Sequence, residues 1–415
     1  MTDPAVGYRT LVVPPERLRE FREVASLAFP MLGDPLLDDS LPFALPAGRA
    51  VAVESADGAI VATHGSYPFT LPVPGGAVPC AGLTWVGVRP DHRRRGLMAS
   101  MLRTHVERSL ERGEVVSALF AAEAAIYGRF GYGSAADDVR LTLPRRAALR
   151  DVAGSADLTV DLVRFDAAVH TATVEDLYVR AGAGRPGWLA RTPPELLTRV
   201  LADLPAARGG YEPLLLATVR RGDDVRGAAL LARQEQWGAS GPEYPVRVRQ
   251  ASALDAAATH RLWTFLLDLD LTATVSTPAL AVDDPLLHLL EDPRPTQRRL
   301  GDNLWVRLLD VPAALGARRY ATPVDVVLDL SDTLLPANAG RWRLEVDAAG
   351  AAQVSRTDAR GDLRLDVREL GALYLGGRSA SALAAAGLVD GERDVVDRVT
   401  VAFTSPLAPV CPWIF

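Results

Sequence analysis

Leu83-Thr84-Trp85-Val86-Gly87-Val88-Arg89-Pro90-Asp91-His92-Arg93-Arg94-Arg95-Gly96-Leu97-Met98 reads as an apolar strand, a proline turn and a helix whose start is crowded with arginine. The first turn of a helix leaves backbone N–H groups unpaired and carries the positive end of the helix dipole, so it suits a phosphate group. Gly96 removes a side chain where a ligand would approach the backbone closely. The spaced guanidinium groups add charge-assisted contacts. A solvated basic face fits the same residues when they are taken alone.

Outward from this stretch, the chain up to Arg146 alternates strand and helix patterns. Leu18 to Phe29 has the apolar spacing of an amphipathic helix, with Phe21, Val24, Ala25, Leu27 and Ala28 available for its inner face. Ala50 to Glu54 and Ile60 to Phe69 flank Ala56-Asp57-Gly58, a hairpin signal. Cys80 to Val88 reads as a central strand, Leu97 to Arg112 as a helix and Val116 to Ala121 as a further strand. A second region, 147–296, repeats the recipe, with strands over Leu158 to Phe165, Leu214 to Arg220, Gly227 to Arg233 and Tyr244 to Leu254, and a helix from Ala256 to Leu267. A third, 297–415, has strand patterns at Val324 to Leu330, Trp342 to Val346, Ala352 to Arg356 and Leu363 to Val367, then two helices. The expectation is two α/β domains of similar construction followed by an α+β domain, with Asp292 to Arg299 as a linker.

Composition narrows the function. Of 415 residues 48% are hydrophobic and 23% charged, values of a folded globular chain rather than a disordered one. The net charge is −6, opposite to the balance of a protein that wraps nucleic acid, so no nucleic-acid partner is expected. All basic residues are arginine, which excludes lysine Schiff-base chemistry. Two cysteines and six scattered histidines offer no metal-ligand spacing, and no metal is expected. No apolar run is long enough to span a membrane, and the start lacks a leader pattern, so a cytoplasmic chain with no membrane partner is expected.

The strand-turn-helix stretch resembles the acetyl-CoA motif of the GNAT N-acetyltransferases, Gln/Arg-x-x-Gly-x-Gly/Ala, with Arg93, Gly96 and Met98 in those places. Met98 departs from the small residue usual there. The resemblance implies acetyl-CoA as cosubstrate, a pyrophosphate loop running through Arg93, Arg94, Arg95, Gly96, Leu97 and Met98, and a pantetheine-pairing strand at Val86, Gly87 and Val88. Phe120-Ala121-Ala122-Glu123-Ala124-Ala125-Ile126-Tyr127-Gly128-Arg129-Phe130-Gly131-Tyr132-Gly133 is similar to the segment after that site in the Eis (enhanced intracellular survival) group. Leu308-Leu309-Asp310-Val311-Pro312-Ala313-Ala314-Leu315 and the chain length match the same group. That resemblance implies tandem GNAT-like domains, the second degenerate, and a sterol-carrier-like third domain.

Two catalytic roles follow from the resemblance: a general acid at Tyr127 and a general base at the terminal carboxylate of Phe415. Read alone, Tyr127 is also a packed core tyrosine. The tail Val410-Cys411-Pro412-Trp413-Ile414-Phe415 is so apolar that burial is expected for it. The implied acceptor is a primary amine (aminoglycoside, polyamine or lysine-like), lined by Phe29, Asp34, Trp85, Phe120 and Glu123; better-known members carry histidine at the place of Phe120. A homo-oligomer, by resemblance a hexamer, is expected. Arg185, Trp188 and Arg191 are candidates to line a site, though core and surface readings are favoured for them. The alternative class is a non-catalytic acyl-CoA or lipid carrier.

Overall fold

The computed structural model describes residues 7–28 and 40–415. In the first unit the expected hairpin forms: β2 (Ala50–Ser55) turns at Gly58 into β3 (Ile60–Val73), which turns at Gly75 into β4 (Gly76–Val88). β1 (Tyr8–Val12), which the sequence patterns did not signal, pairs along the edge of β2. Its residues are largely exposed, so no buried face imposes a strong alternation. Helix α1 (Leu18–Ala28) buries Phe21, Val24 and Ala25 and packs on β3 and β4; of the other two residues expected on its inner face, Ala28 is half-buried and Leu27 is exposed. Helix α2 (Leu97–Glu111) covers the other face through Leu97, Met101 and Leu102.

β4 and β5 (Val116–Phe120) run parallel, but their pairing is brief: Cys80 with Val116, Ala81 with Ser117 and Gly82 with Ala118. Beyond Gly82 the two strands part. The rest of β4 keeps its bonds to β3 on the other side, so the edge facing the gap has no strand partner among the described residues. Ser117 ties the base of the opening together. Its hydroxyl donates to the Ala81 carbonyl at 3.0 Å and contacts His105 Nε2 at 2.9 Å and Tyr132 Oη at 2.8 Å.

Two strands lie across the sequence divisions at 146/147 and 296/297. Leu304–Leu308 inserts into the first sheet, between β5 and β6 (Gly133–Ser134). Thr142–Pro144 joins the second sheet, whose order is Thr142–Pro144, Thr272–Ser276, Tyr244–Ala253, Asp224–Arg233, Leu215–Arg221, Thr159–Arg164. The expected linker is ordered into the same seam. Thr296 is buried, and Arg299–Asp302 pairs with Asp137–Arg140.

The third unit is a five-stranded sheet with Val324–Ser331 at its centre. Its helix Val367–Leu373 presses onto the first sheet at two glycines. A Cβ on Gly371 would lie 2.2 Å from the Val306 carbonyl oxygen, and one on Gly133 would lie 2.0 Å from the Arg368 carbonyl oxygen. Arg307 and Asp332 form a fully buried pair at the same contact, 2.7 Å apart. Arg307 also donates to the Phe130 carbonyl at 2.6 Å. A helix not signalled by the sequence patterns, Arg393–Phe403, precedes the tail. No helix among the described residues is long and apolar enough to cross a membrane.

Candidate active site

The opening between β4 and β5 is framed by residues on both faces of the sheet. Side chains alternate along a strand, so Gly82, Ala118 and Phe120 face one way while Leu83, Ser117 and Leu119 face the other. The tail arrives on the Gly82 face. The Cys411 backbone is held by both ends of the buried Asn303 amide, at 2.8 and 3.0 Å. The Trp413 indole N–H lies 3.0 Å from both Tyr178 Oη and the Leu189 carbonyl.

Phe415 then lies with its ring 4.8 Å from that of Phe69, 5.4 Å from Phe120 and 6.4 Å from Tyr67. A Cβ on Gly82 would come within 3.2 Å of it. The last residue is therefore seated where the two strands separate. The expected burial of the tail holds for Cys411 and Trp413, while Ile414 is 64% exposed.

Tyr127 occupies the opposite face. It ends the short helix α3 (Ala124–Tyr127) and is buried in a cluster with Leu83, Leu119, Tyr132 and Trp305. Burial, with a smaller contribution from the Glu123 charge, pushes its phenol up to about 12. Its hydroxyl has no hydrogen-bond partner among the described residues. Glu123 itself is exposed.

The basic loop divides in two. Arg93 and Arg94 are exposed and have no polar partner among the described residues. Arg95 is exposed but committed, donating to Tyr8 Oη at 2.7 Å and to the Asp91 carbonyl at 3.1 Å. Gly96 caps α2 with φ +78° and no side-chain bond, a left-handed conformation that explains glycine better than space alone. Leu97 is buried in the core, so only its backbone faces the loop, while Met98 is half-buried. Val86 and Val88 are half-buried on the unpaired stretch of β4, and Gly87 is packed against α1, where a Cβ would meet that of Ala28 at 3.0 Å.

Trp85 is more than a strand tryptophan. Its φ is +55°, at a register shift between β3 and β4, and its carbonyl accepts from Thr63 Oγ1 at 3.0 Å. The ring lies about 6 Å from those of Phe21 and Phe43. Such a bulge turns the side chain out of the regular strand alternation. Phe29 and Asp34 lie outside the described residues. Tyr67, Phe69 and Gly82 were missed by sequence reasoning because nothing local distinguishes them; only their contact with the tail does.

An exposed cation pair, a glycine-capped helix start and an unpaired strand edge together suit a long phosphate-bearing ligand laid along β4. Comparison with known proteins places the chain in a family. Acetyltransferase (GNAT) domain models match residues 13–135 and 187–308, and a sterol carrier protein domain model matches 311–412. An uncharacterized N-acetyltransferase of Streptomyces coelicolor is 41% identical over 372 residues, 88% of this chain and 89% of that one. N-acetyltransferase Eis of Mycobacterium tuberculosis is 36% identical over 373 residues, 84% of this chain and 87% of its own. The crystal structure of Eis1 from Mycobacterium abscessus superposes with a TM-score of 0.83 at 31% identity, covering 98% of this chain and 100% of that one. The chain belongs to the GNAT N-acetyltransferases, in their Eis-like group.

Proposed function

We propose that this acetyltransferase moves the acetyl group of acetyl-CoA directly onto a primary amine, of aminoglycoside, polyamine or lysine-like type. The Phe415 carboxylate serves as general base and Tyr127 as general acid. The observation that carries the reading is the seat of Phe415 against Gly82 and Phe120, at the point where β4 and β5 separate.

Acetyl-CoA, when bound, supplies an activated acetyl group as a thioester. The chain's own residues do the rest. Arg93, Arg94 and the backbone from Gly96 to Met98 hold the phosphates, and the free edge of β4 over Val86, Gly87 and Val88 holds the arm; Arg95 braces that loop through Tyr8. A primary amine is mostly protonated near neutral pH, so the Phe415 carboxylate must take a proton before the nitrogen attacks. Tyr127, whose phenol is pushed up to about 12, keeps its proton at that pH and donates it to the departing sulfur. Base and acid on opposite faces of one sheet let the amine enter on one side while the thiolate leaves on the other. Proximity within the gap lowers the entropic barrier, and no covalent enzyme intermediate is required.

Trp85, Phe120 and Glu123, with Phe29 and Asp34, line the acceptor side in this reading. Residues 1–146 would supply the donor site, 147–296 one wall of the cleft, and 297–415 would deliver the tail, within a cytoplasmic homo-hexamer. The test is a panel of aminoglycosides, polyamines and lysine peptides, with CoA release and the number of acetyl groups added read by mass spectrometry. Turnover on amines that is abolished when residues are appended after Phe415 is expected. Normal turnover by the extended protein removes the carboxylate from the mechanism, and absence of turnover on any amine removes the acceptor class.

A further inference from the structure

We infer that the middle unit holds a binding site of its own, for a small organic anion bearing a carboxylate or phosphate group. Tyr244–Ala253 and Thr272–Ser276 run parallel and pair only from Tyr244 with Thr272 to Arg247 with Ser276. Where they part, a cavity of about 560 Å³ opens, within the ~300–1,000 Å³ usual for small-molecule sites. Arg185, Trp188 and Arg191, which read as core or surface in the sequence, stand on its wall.

Charge sets the ligand class. Five arginines line the cavity. Three have carboxylate partners: Arg140 with Asp138 at 3.2 Å, Arg185 with Asp283 at 2.6 Å, and Arg191 with Glu175 at 3.0 Å. Arg247 and Arg249 have none among the described residues. Arg247 lies 4.2 Å over the Tyr211 ring, and Arg249 donates to the carbonyls of Val200 and Ala202. Among the described residues Asp284 is the lining carboxylate. It accepts from the Leu286 N–H at 2.9 Å, and burial pushes it up to about 6.

Among the described residues, two polar atoms on the lining, Arg191 Nε and Ser252 Oγ, are buried without a hydrogen-bond partner; their residues are 4% and 5% exposed. Such orphans are rare in native interiors and call for a partner.

This site is not a second copy of the donor site. The helix that follows the opening, Ala256–Leu267, is capped by the Asp255 carboxylate, which accepts from the Ala258 N–H at 2.8 Å. An acidic cap occupies the helix start where the first unit has Gly96, so an anion must bind to the arginines instead. One wall is the tail itself, Cys411 to Ile414. Arg191 stacks 3.9 Å over the Tyr178 ring, whose hydroxyl holds the Trp413 indole. An occupant therefore stiffens the segment that ends in Phe415. Binding stands whether or not Phe415 acts as a base.

The test is isothermal titration of the full chain with citrate and with inorganic pyrophosphate. It compares wild type with Arg247→Gln and Arg247→Gln/Arg249→Gln, alongside hydrogen exchange of residues 408–415. We expect one or both probes to bind, with affinity at least ~10-fold weaker in the double variant, and slower tail exchange in the wild type alone. Citrate binding alone that weakens in the variants assigns a carboxylate ligand, and pyrophosphate binding alone that weakens in them a phosphate; pyrophosphate heat that the variants leave unchanged belongs to the loop at Arg93 and Arg94 and counts as no binding here. Arg247→Gln removes an exposed group with no hydrogen-bond partner among the described residues, so it carries the test if the double variant misfolds. No heat with either probe, equal affinity in the variants, or unchanged tail exchange on binding overturns the inference.

Discussion

Tyr127 shows what burial does to a single group. Desolvation penalises the phenolate, so the raised value near 12 keeps the neutral acid as the working form. Tyr127→Phe is expected to lower kcat by at least ~10² with acetyl-CoA binding retained; unchanged kcat would remove the residue from the chemistry. The sign of the shift adds a second expectation: Tyr127 causes no loss of activity with rising pH below about pH 11, so wild-type pH profiles run to pH 10 contain no alkaline limb that vanishes in Tyr127→Phe. His64 is the opposite case. It is fully buried, and desolvation depresses it to about 3. The native state resists protonation that the unfolded chain accepts below about 6.5, so stability present above pH 6.5 is lost as pH falls toward 3. The loss is roughly 3 kcal/mol by pH 4. Chemical denaturation should show a shallower acid decline in His64→Gln than in wild type.

At the level of elements, the start of α2 separates conformation from charge. Gly96 sits at φ +78°, where any L side chain is strained by about 1–2 kcal/mol. Gly96→Val should therefore lower Tm and raise KM for acetyl-CoA together. Arg93 is exposed and without a polar partner among the described residues, so Arg93→Ala should raise that KM while Tm stays put. Loss of activity in Arg93→Ala that persists at saturating acetyl-CoA would contradict a binding role. This element is legible in the amino-acid order. Apolar spacing, a proline turn and a glycine are signals confined to a few residues, and local chemistry settles them. The strained Trp85 bulge on the neighbouring strand is not legible there, because its φ answers to the register with β3.

Across the whole molecule, the exchanged strands and the docked third unit make one body of three sequence regions. Asp332 accepts from buried Arg307 at the junction between the first sheet and the third unit. Asp332→Ala leaves that guanidinium buried without its carboxylate and should cost ~3–5 kcal/mol in chemical denaturation. The same variant should speed hydrogen exchange over 408–415, since the tail depends on that docking. Loss of stability with tail exchange unchanged would show that the tail is held by the middle unit alone.

The amino-acid order by itself determined most of the helices and strands, the basic loop and the apolar character of the tail. Each depends on periodicity, turn chemistry or hydropathy within a short window. Only the tertiary structure decided that Leu304–Leu308 completes the first sheet, that Phe415 meets Phe69 and Phe120, and that Arg185 and Arg191 line a cavity. These pairings join residues more than a hundred positions apart in most cases. Many partners of similar hydrophobicity compete for such contacts, and the packing of the entire chain selects among them.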